Sequence, residues 1–253
     1  MKKSSSTASR QPSPLPLRVL HALVFAGFAA ITLVGAWPEL RHLARSQLQP
    51  YSPGTPPRLL LVLAALMALV GMSVVLAQAV RARSAHLFWS GLILAAVPLA
   101  TWANHEGPAV GRNSDAANLK VLRVARELHG RTVSELQKHG SIPEDEDSWR
   151  QALAQLTQGQ PTTIHTRSFG ALPFRLQKVA SPDALPADAP PGTLLVYVLE
   201  GGAAYEIHAV GISPEGEASR LKQPGGEFLV LSGAYNPDLP PPPPTEADGH
   251  GSH

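Results

Sequence analysis

Cysteine is absent from all 253 residues, so the chain has no disulfide, no thiolate metal site and no cysteine nucleophile. Charge is also scarce. Asp, Glu, Lys and Arg make up 16% of the sequence, against roughly a quarter in a soluble globular protein. The deficit concentrates in three windows, Val19–Trp37, Leu59–Val80 and Leu87–Ala103, none of which holds any of the four charged residue types. A helix needs roughly 17 to 25 mostly apolar residues to cross about 30 Å of hydrocarbon, so each window is long enough to span. Pro98, in the third and shortest window, is compatible with a span because neighbouring groups can satisfy the freed backbone.

The basic excess has a definite place. Residues 1–103 carry nine Lys/Arg and one Glu, while residues 104–236 carry twelve Lys/Arg against fifteen Asp/Glu. A net charge of +8 therefore lies around the apolar windows and −3 on the long region after them. A phosphate-binding face would need the opposite distribution, which argues against nucleic acid as a partner. Membrane lipid and protein partners remain, with oligomeric state left open. Lys2, Lys3, Arg10 and Arg18 precede the first window, and Arg81 and Arg83 lie between the second and third. With both segments cytoplasmic the inside carries six positive residues against Arg41, Arg45 and Arg58 in the intervening loop, so the amino terminus is expected inside and the region after Ala103 outside, in the bacterial inner membrane. Reading Leu17–Ala36 as a cleaved signal, with small residues Val34 and Ala36 at the cleavage positions, leaves the large region outside as well.

The expected organisation is a disordered cytoplasmic tail over 1–16, a membrane domain over 17–103 with helices at about 19–37, 59–80 and 87–103, an extracytoplasmic domain over 104–236, and a disordered proline-rich tail over 237–253. YSPGTPP, before the second window, is dense in breakers of regular structure. In DAANLKVLRVARELHG, apolar residues recur at three- and four-residue spacing, as in an amphipathic helix. Gly130 weakens that helix, and Thr132 with Glu135 offers a capping box to restart it. A second helix has an acidic start at Glu144–Asp147, Trp149, Leu153 and Leu156 on one face, and Gly159 as its stop. Strands are expected at Thr162–Thr166, Phe174–Val179, Thr193–Leu199, Ala204–Ile212 and Glu227–Leu231, with SPDALPADAPPG as a surface loop and EGGA as a hairpin turn. Helices followed by consecutive antiparallel strands make an α+β domain.

Motifs that carry chemistry are sparse. There is no GxxxxGK[ST], GxSxG or HExxH. Ser168 in TRSFG lacks the glycine that leads a nucleophile elbow and reads as a turn serine. The acid run Glu144–Asp147 lacks the alternating ligands and glycine of an EF-hand loop and reads as helix capping. His129, His139, His165 and His208 are scattered. Glu206 and His208 share one strand face two residues apart, as an acid and base would, yet Tyr205, Ile207 and Ala209 supply the apolar row of a half-buried strand. No catalytic, cofactor-binding or metal-ligating residue is assigned. No window carries an acid, Lys or Arg at its centre, which argues against an ion-coupled pathway. Ala26 with Ala30, and Gly91 with Ala95, have small-xxx-small spacing suited to helix contact.

Three segments, AANLKVLRVARELH, YEIHAVGISPEG and Pro224–Gly226, follow the order found in pseudopilins, and Ala116–Ser232 resembles the periplasmic part of the major pseudopilin of type II secretion. The resemblance implies a long amphipathic helix on a small antiparallel sheet, and a role in an envelope or secretion assembly. In GFAAITL, Thr32 stands where the processed family sequence has glutamate, and Ser213 stands where the family has an acidic calcium ligand. What is implied is a pilin-like domain on a three-span anchor. Three functions are compatible: a non-catalytic assembly or interaction protein, a sensor of a small extracytoplasmic ligand acting through a partner, and an enzyme using Glu206 and His208.

Overall fold

The computed structural model describes residues 14–81, 87–105 and 109–238; both tail expectations and the basic link at Arg83 lie largely outside these residues. Three long apolar helices come first, followed by a mixed α/β region in which helices pack on a mostly antiparallel sheet. The chain divides into two compact units, Met1–Ala44 with Pro57–Pro108, and Arg45–Pro56 with Ala109–His253.

The first unit contains most of α1 (Pro14–Leu48), with α2 (Leu59–Val80) and α3 (Leu87–Asn104). All three are long and apolar enough to cross a membrane, the mark of a multi-pass membrane protein. Small residues fill the contacts. Ala22, Ala29 and Ala36 repeat every seven positions on the buried side of α1 and share one cluster with Ala64, Ala65 and Ala68 of α2 and Ile93, Ala96 and Ala100 of α3. Among helices in lipid, close backbone approach takes the place of the hydrophobic effect, and small side chains permit it. The small-residue pairs singled out from spacing lie off this seam, since Ala30, Gly91 and Ala95 are exposed.

The helix α1 is longer than its uncharged window. It continues through Pro38 to Leu48 and takes in charged residues. Glu39, although buried, accepts a hydrogen bond from the Arg58 amide at 2.9 Å, and its second oxygen is 3.8 Å from Arg58 Nε. A buried carboxylate is tolerable only with such partners.

The second unit is built on α4 (Ser114–His139) and α5 (Glu146–Thr157). Asn113 caps α4 by accepting from Ala116 N, and Gly140, at φ 77°, ends it. No break occurs at Gly130. The buried positions Val121, Val124, Ala125, Leu128, Thr132 and Leu136 form one continuous face through the glycine, and burial of a few such side chains, at roughly 1.5–3 kcal/mol each, outweighs the cost of about 1 kcal/mol for a helical glycine. Thr132 donates back to the Leu128 carbonyl instead of capping a new helix. Asp145 caps α5 through Ser148 N, as the acidic run led us to expect.

Against these helices lies a sheet ordered β3 (Arg175–Lys178), β4 (Thr193–Val198), β5 (Ala204–Ile212), β6 (Ala218–Arg220), with β7 (Val230–Ala234) also paired to β5. Leu194, Val196 and Val198 of β4, with Tyr205, Ile207 and Ala209 of β5, form the face that packs on Val121, Leu128 and Leu136 of α4 and Trp149 of α5. The pair β3–β4 is parallel, whereas consecutive antiparallel strands were expected. A parallel pair needs a crossover, and the proline-rich stretch after Val179 supplies it. This stretch is a surface loop, as expected, and it crosses the second face of the sheet, where Leu185 and Ala189 pack with Val179, Leu195 and Val210.

A short two-stranded sheet completes the unit. Strand β1 (Tyr51–Pro53) arises within the stretch expected to be irregular, and pairs antiparallel with β2 (Ile164–Thr166). Thus the segment between the first two apolar helices is folded into the same unit as the region after the third.

Candidate functional site

On β5, Glu206 lies opposite Tyr197 and Ser232, and His208 opposite Leu195 and Val230. Both side chains project from the second sheet face, as period two requires. His208 is only 4% exposed. Its Nε2 is 3.3 Å from Glu206 Oε2, close enough to be an ion pair when the ring is protonated, but not aligned as a hydrogen bond; both ring nitrogens are buried without a hydrogen-bond partner. Burial is the main influence on the ring and lowers its pKa below 6.5; Glu206 pulls the other way, and Arg220 adds to the lowering. The His208 ring is therefore sealed, while the Glu206 side chain beside it stays 34% exposed. A general base must reach the proton it removes, either directly or through one water, and here no solvent-facing nitrogen is presented.

The remaining sequence-selected residues disperse. His129 bridges helix to sheet: the Tyr205 hydroxyl lies 2.9 Å from His129 Nδ1 and 3.2 Å from the His129 carbonyl, to which it donates. Burial raises the Tyr205 pKa well above 10 and lowers that of His129 below 6.5. The Tyr205 ring is flanked by His129 and Trp149, with centroids at 5.8 Å and 5.7 Å. His139 is exposed near the end of α4, its Nδ1 3.2 Å from the Glu135 carbonyl. His165 sits in β2 opposite Ser52, where burial lowers its pKa. These positions do not converge, and among the described residues no group of three His, Cys, Asp or Glu is placed to hold a metal. Ser168 lies 3.0 Å from the Thr166 hydroxyl in an exposed turn. Beside the cap Asp145, Glu146 pairs with Arg150 at 2.7 Å, and Glu144 Oε1 accepts from Gly201 N at 2.7 Å, tying the β4–β5 hairpin to the start of α5.

Two arrangements escaped the sequence. One is a clamp around residues 49–56. Gly54 N donates to the Thr163 carbonyl at 2.7 Å, Thr55 N to Val110 at 3.1 Å and Tyr51 N to Gly216 at 3.1 Å, while Arg112 donates to the Thr55 and Pro56 carbonyls. Arg167 Nε adds a bond to the Gln49 carbonyl at 3.2 Å. Prolines and glycines conceal this segment from strand recognition, and its partner lies more than a hundred residues away. The other arrangement is a pair of clefts that meet at β6. One, of about 470 Å³, lies between Pro182–Ala189 and Val210, Arg220 and Phe228. A second, of about 580 Å³, lies between Leu119 and Leu122 of α4 and the β5–β6 turn. The Arg220 guanidinium stands 3.6 Å over the Phe228 ring, a cation–π contact that fixes it beside both clefts. No protein-family model, curated protein or solved structure matches the chain.

Proposed function

We propose that the protein is a non-catalytic, membrane-anchored interaction protein of an envelope or secretion-type assembly, with a pilin-like extracytoplasmic domain. The observation that carries this reading is the clamp. Residues 45–56 and 109–238 belong to one folded unit, so the two stretches share one side of the membrane and α2 and α3 must cross it as a hairpin. The segment between the first two spans thereby becomes part of the domain, a second attachment beyond the one at the end of α3. Two attachments make an anchor suited to holding a domain in a defined pose for partners. The basic residues Arg18 and Arg81 at the opposite ends of α1 and α2 favour an inside amino terminus. Packing of α4 along an antiparallel core sheet supports the pilin-like reading.

The absence of native cysteine makes topology directly testable. With Gln160→Cys, a membrane-impermeant maleimide should label intact cells; with Arg81→Cys, only permeabilised ones. The reverse pattern overturns the orientation, and a protein that stays solitary after mild-detergent purification overturns the assembly role. A second reading, a sensor of a small extracytoplasmic ligand, is favoured by the clefts of about 470 Å³ and 580 Å³.

A further inference from the structure

We infer that residues 180–192 form an acid-released cover over the second face of the sheet, and that His208 is the group whose protonation releases it. Three observations converge on this. First, the cover is weakly held. Among the described residues, its main-chain hydrogen bonds to the sheet lie at its two ends: Val179 N donates to the Val196 carbonyl at one, and at the other Gly192 N donates to the Val210 carbonyl while the Gly192 and Pro190 carbonyls accept from Arg175 N and Thr193 N; Ala184 N bonds within the segment to Ser181. Between those ends the apolar contact is supplied by Leu185 and Ala189. A segment with few buried contacts opens at a smaller free-energy cost than the core. Its four prolines, Pro182, Pro186, Pro190 and Pro191, restrict the backbone, so the strip lifts as a piece rather than fraying residue by residue.

Second, His208 lies beneath the face that the cover protects. Leu195, its cross-strand neighbour, and Val210, two residues along on the same face, are the residues on which Leu185 and Ala189 pack. Nδ1 is buried without a hydrogen-bond partner and Nε2 faces the Glu206 carboxylate at 3.3 Å without an aligned hydrogen bond, a standing cost relieved when water reaches the ring. Adding a proton raises that cost further, because a buried charge needs solvent or a well-made pair.

Third, the charged surroundings are few and opposed. Glu206, on the same strand, attracts the protonated ring, and Arg220, opposite Val210 on β6, repels it. The flanking β4 and β7 positions are Leu195, Tyr197, Val230 and Ser232. The cover itself carries Asp183 and Asp188, both exposed. With the cover closed the ring stays neutral to a lower pH than it does in water, so acid favours the open form. Opening lets water into the cleft beside Arg220 and uncovers Leu195 and Val210.

Amide exchange of the full chain in detergent, corrected for the intrinsic pH dependence of exchange, tests this between pH 7.5 and 5.5. Protection of Val179 and Gly192, whose amides bond to the sheet, should fall below pH 6.5, by at most about tenfold per pH unit for a single proton, while Val121–Leu128 of α4 stay protected. His208→Phe, which fills the space without titrating, should abolish the response. Glu206→Gln should enlarge it and Arg220→Gln diminish it, because the first removes an attraction and the second a repulsion present mainly in the closed state. A response that survives in His208→Phe, equal loss of protection in α4, or shifts of the same sign in the Glu206 and Arg220 variants would overturn the inference.

Discussion

Gly54→Ala probes the clamp most directly. At Gly54 the backbone has φ 82°, and an added Cβ would stand 2.6 Å from Arg112 N and 2.6 Å from the Gly111 carbonyl carbon. Both neighbours are main-chain atoms, so no side chain can swing aside. Left-handed backbone costs a residue with a Cβ about 1–2 kcal/mol, and overpacking adds about 1–3 kcal/mol. Reduced entropy of the unfolded alanine chain returns about 0.4–1 kcal/mol. Together these terms give a destabilisation of about 1–4.6 kcal/mol for the clamp, about 2.8 kcal/mol at mid-range, or a roughly 100-fold increase in its opening at about 1.4 kcal/mol per decade. Gly111→Ala is the matched control, because its φ is 68° but its nearest neighbour, Gly54 Cα, is 3.8 Å from the added atom. The control carries the dihedral term without the clash and should open the clamp only about fivefold, for about 1 kcal/mol. Exchange of the Tyr51, Gly54 and Thr55 amides reads the opening. Wild-type protection in Gly54→Ala, or equal effects of the two substitutions, would refute the reasoning and with it the clamp.

Other consequences are open to measurement. Tyr205→Phe removes the hydroxyl that reaches His129 and should cost about 1–2 kcal/mol in a denaturant titration; an unchanged midpoint would mean that the bridge contributes nothing. His129, His165 and His208 are all held below 6.5 by burial, so the unfolded chain binds more protons than the folded one. Their contribution to stability is complete above pH 6.5 and lost as the pH falls through 6.5 toward the folded-state values; melting temperatures that are flat or rise from pH 7 to 5 would contradict this. In the membrane unit, an added Cβ at Gly71 would lie 2.7 Å from Ile93 Cγ1 and 3.0 Å from the Trp89 carbonyl, whereas one at Gly27 meets nothing within 4 Å. Gly71→Ile should therefore destabilise the α2–α3 hairpin by about 1–3 kcal/mol in a detergent-unfolding titration, with Gly27→Ile near neutral; equal effects would discredit the packing.

What could be read from the sequence divides along a physical line. Periodicity and charge gaps located α2, α3, α4 and α5, because the side chains of each respond to one continuous environment. The expected bounds of β5, Ala204–Ile212, match the observed strand for the same reason: its flanking turns are written in local residues. Elements defined by distant partners were hidden. Strand β1 is YSP, whose composition argues against a strand until Ile164–Thr166 pairs with it. The three-residue β6 is held by β5 and carries little signal of its own. At the site, residue types revealed Glu206 and His208 as neighbours but not that the His208 ring is sealed. Sealing depends on the crossover that makes β3 and β4 parallel, and a proline-rich sequence says nothing of which face it will cross.

The pairing of β1 with β2 also imposes a schedule on synthesis. The partner residues Ser52 and His165 are separated by 113 positions (165 minus 52). At roughly 5–20 residues per second, β1 is made about 6–23 s before its partner strand. On the proposed topology, α2 and α3 insert during that interval and the rest of the chain follows to the side where β1 waits with an unpaired edge. A stall in either insertion leaves that edge exposed, so failed membrane integration would register first as a protease-sensitive segment near Tyr51, before any loss in the large domain.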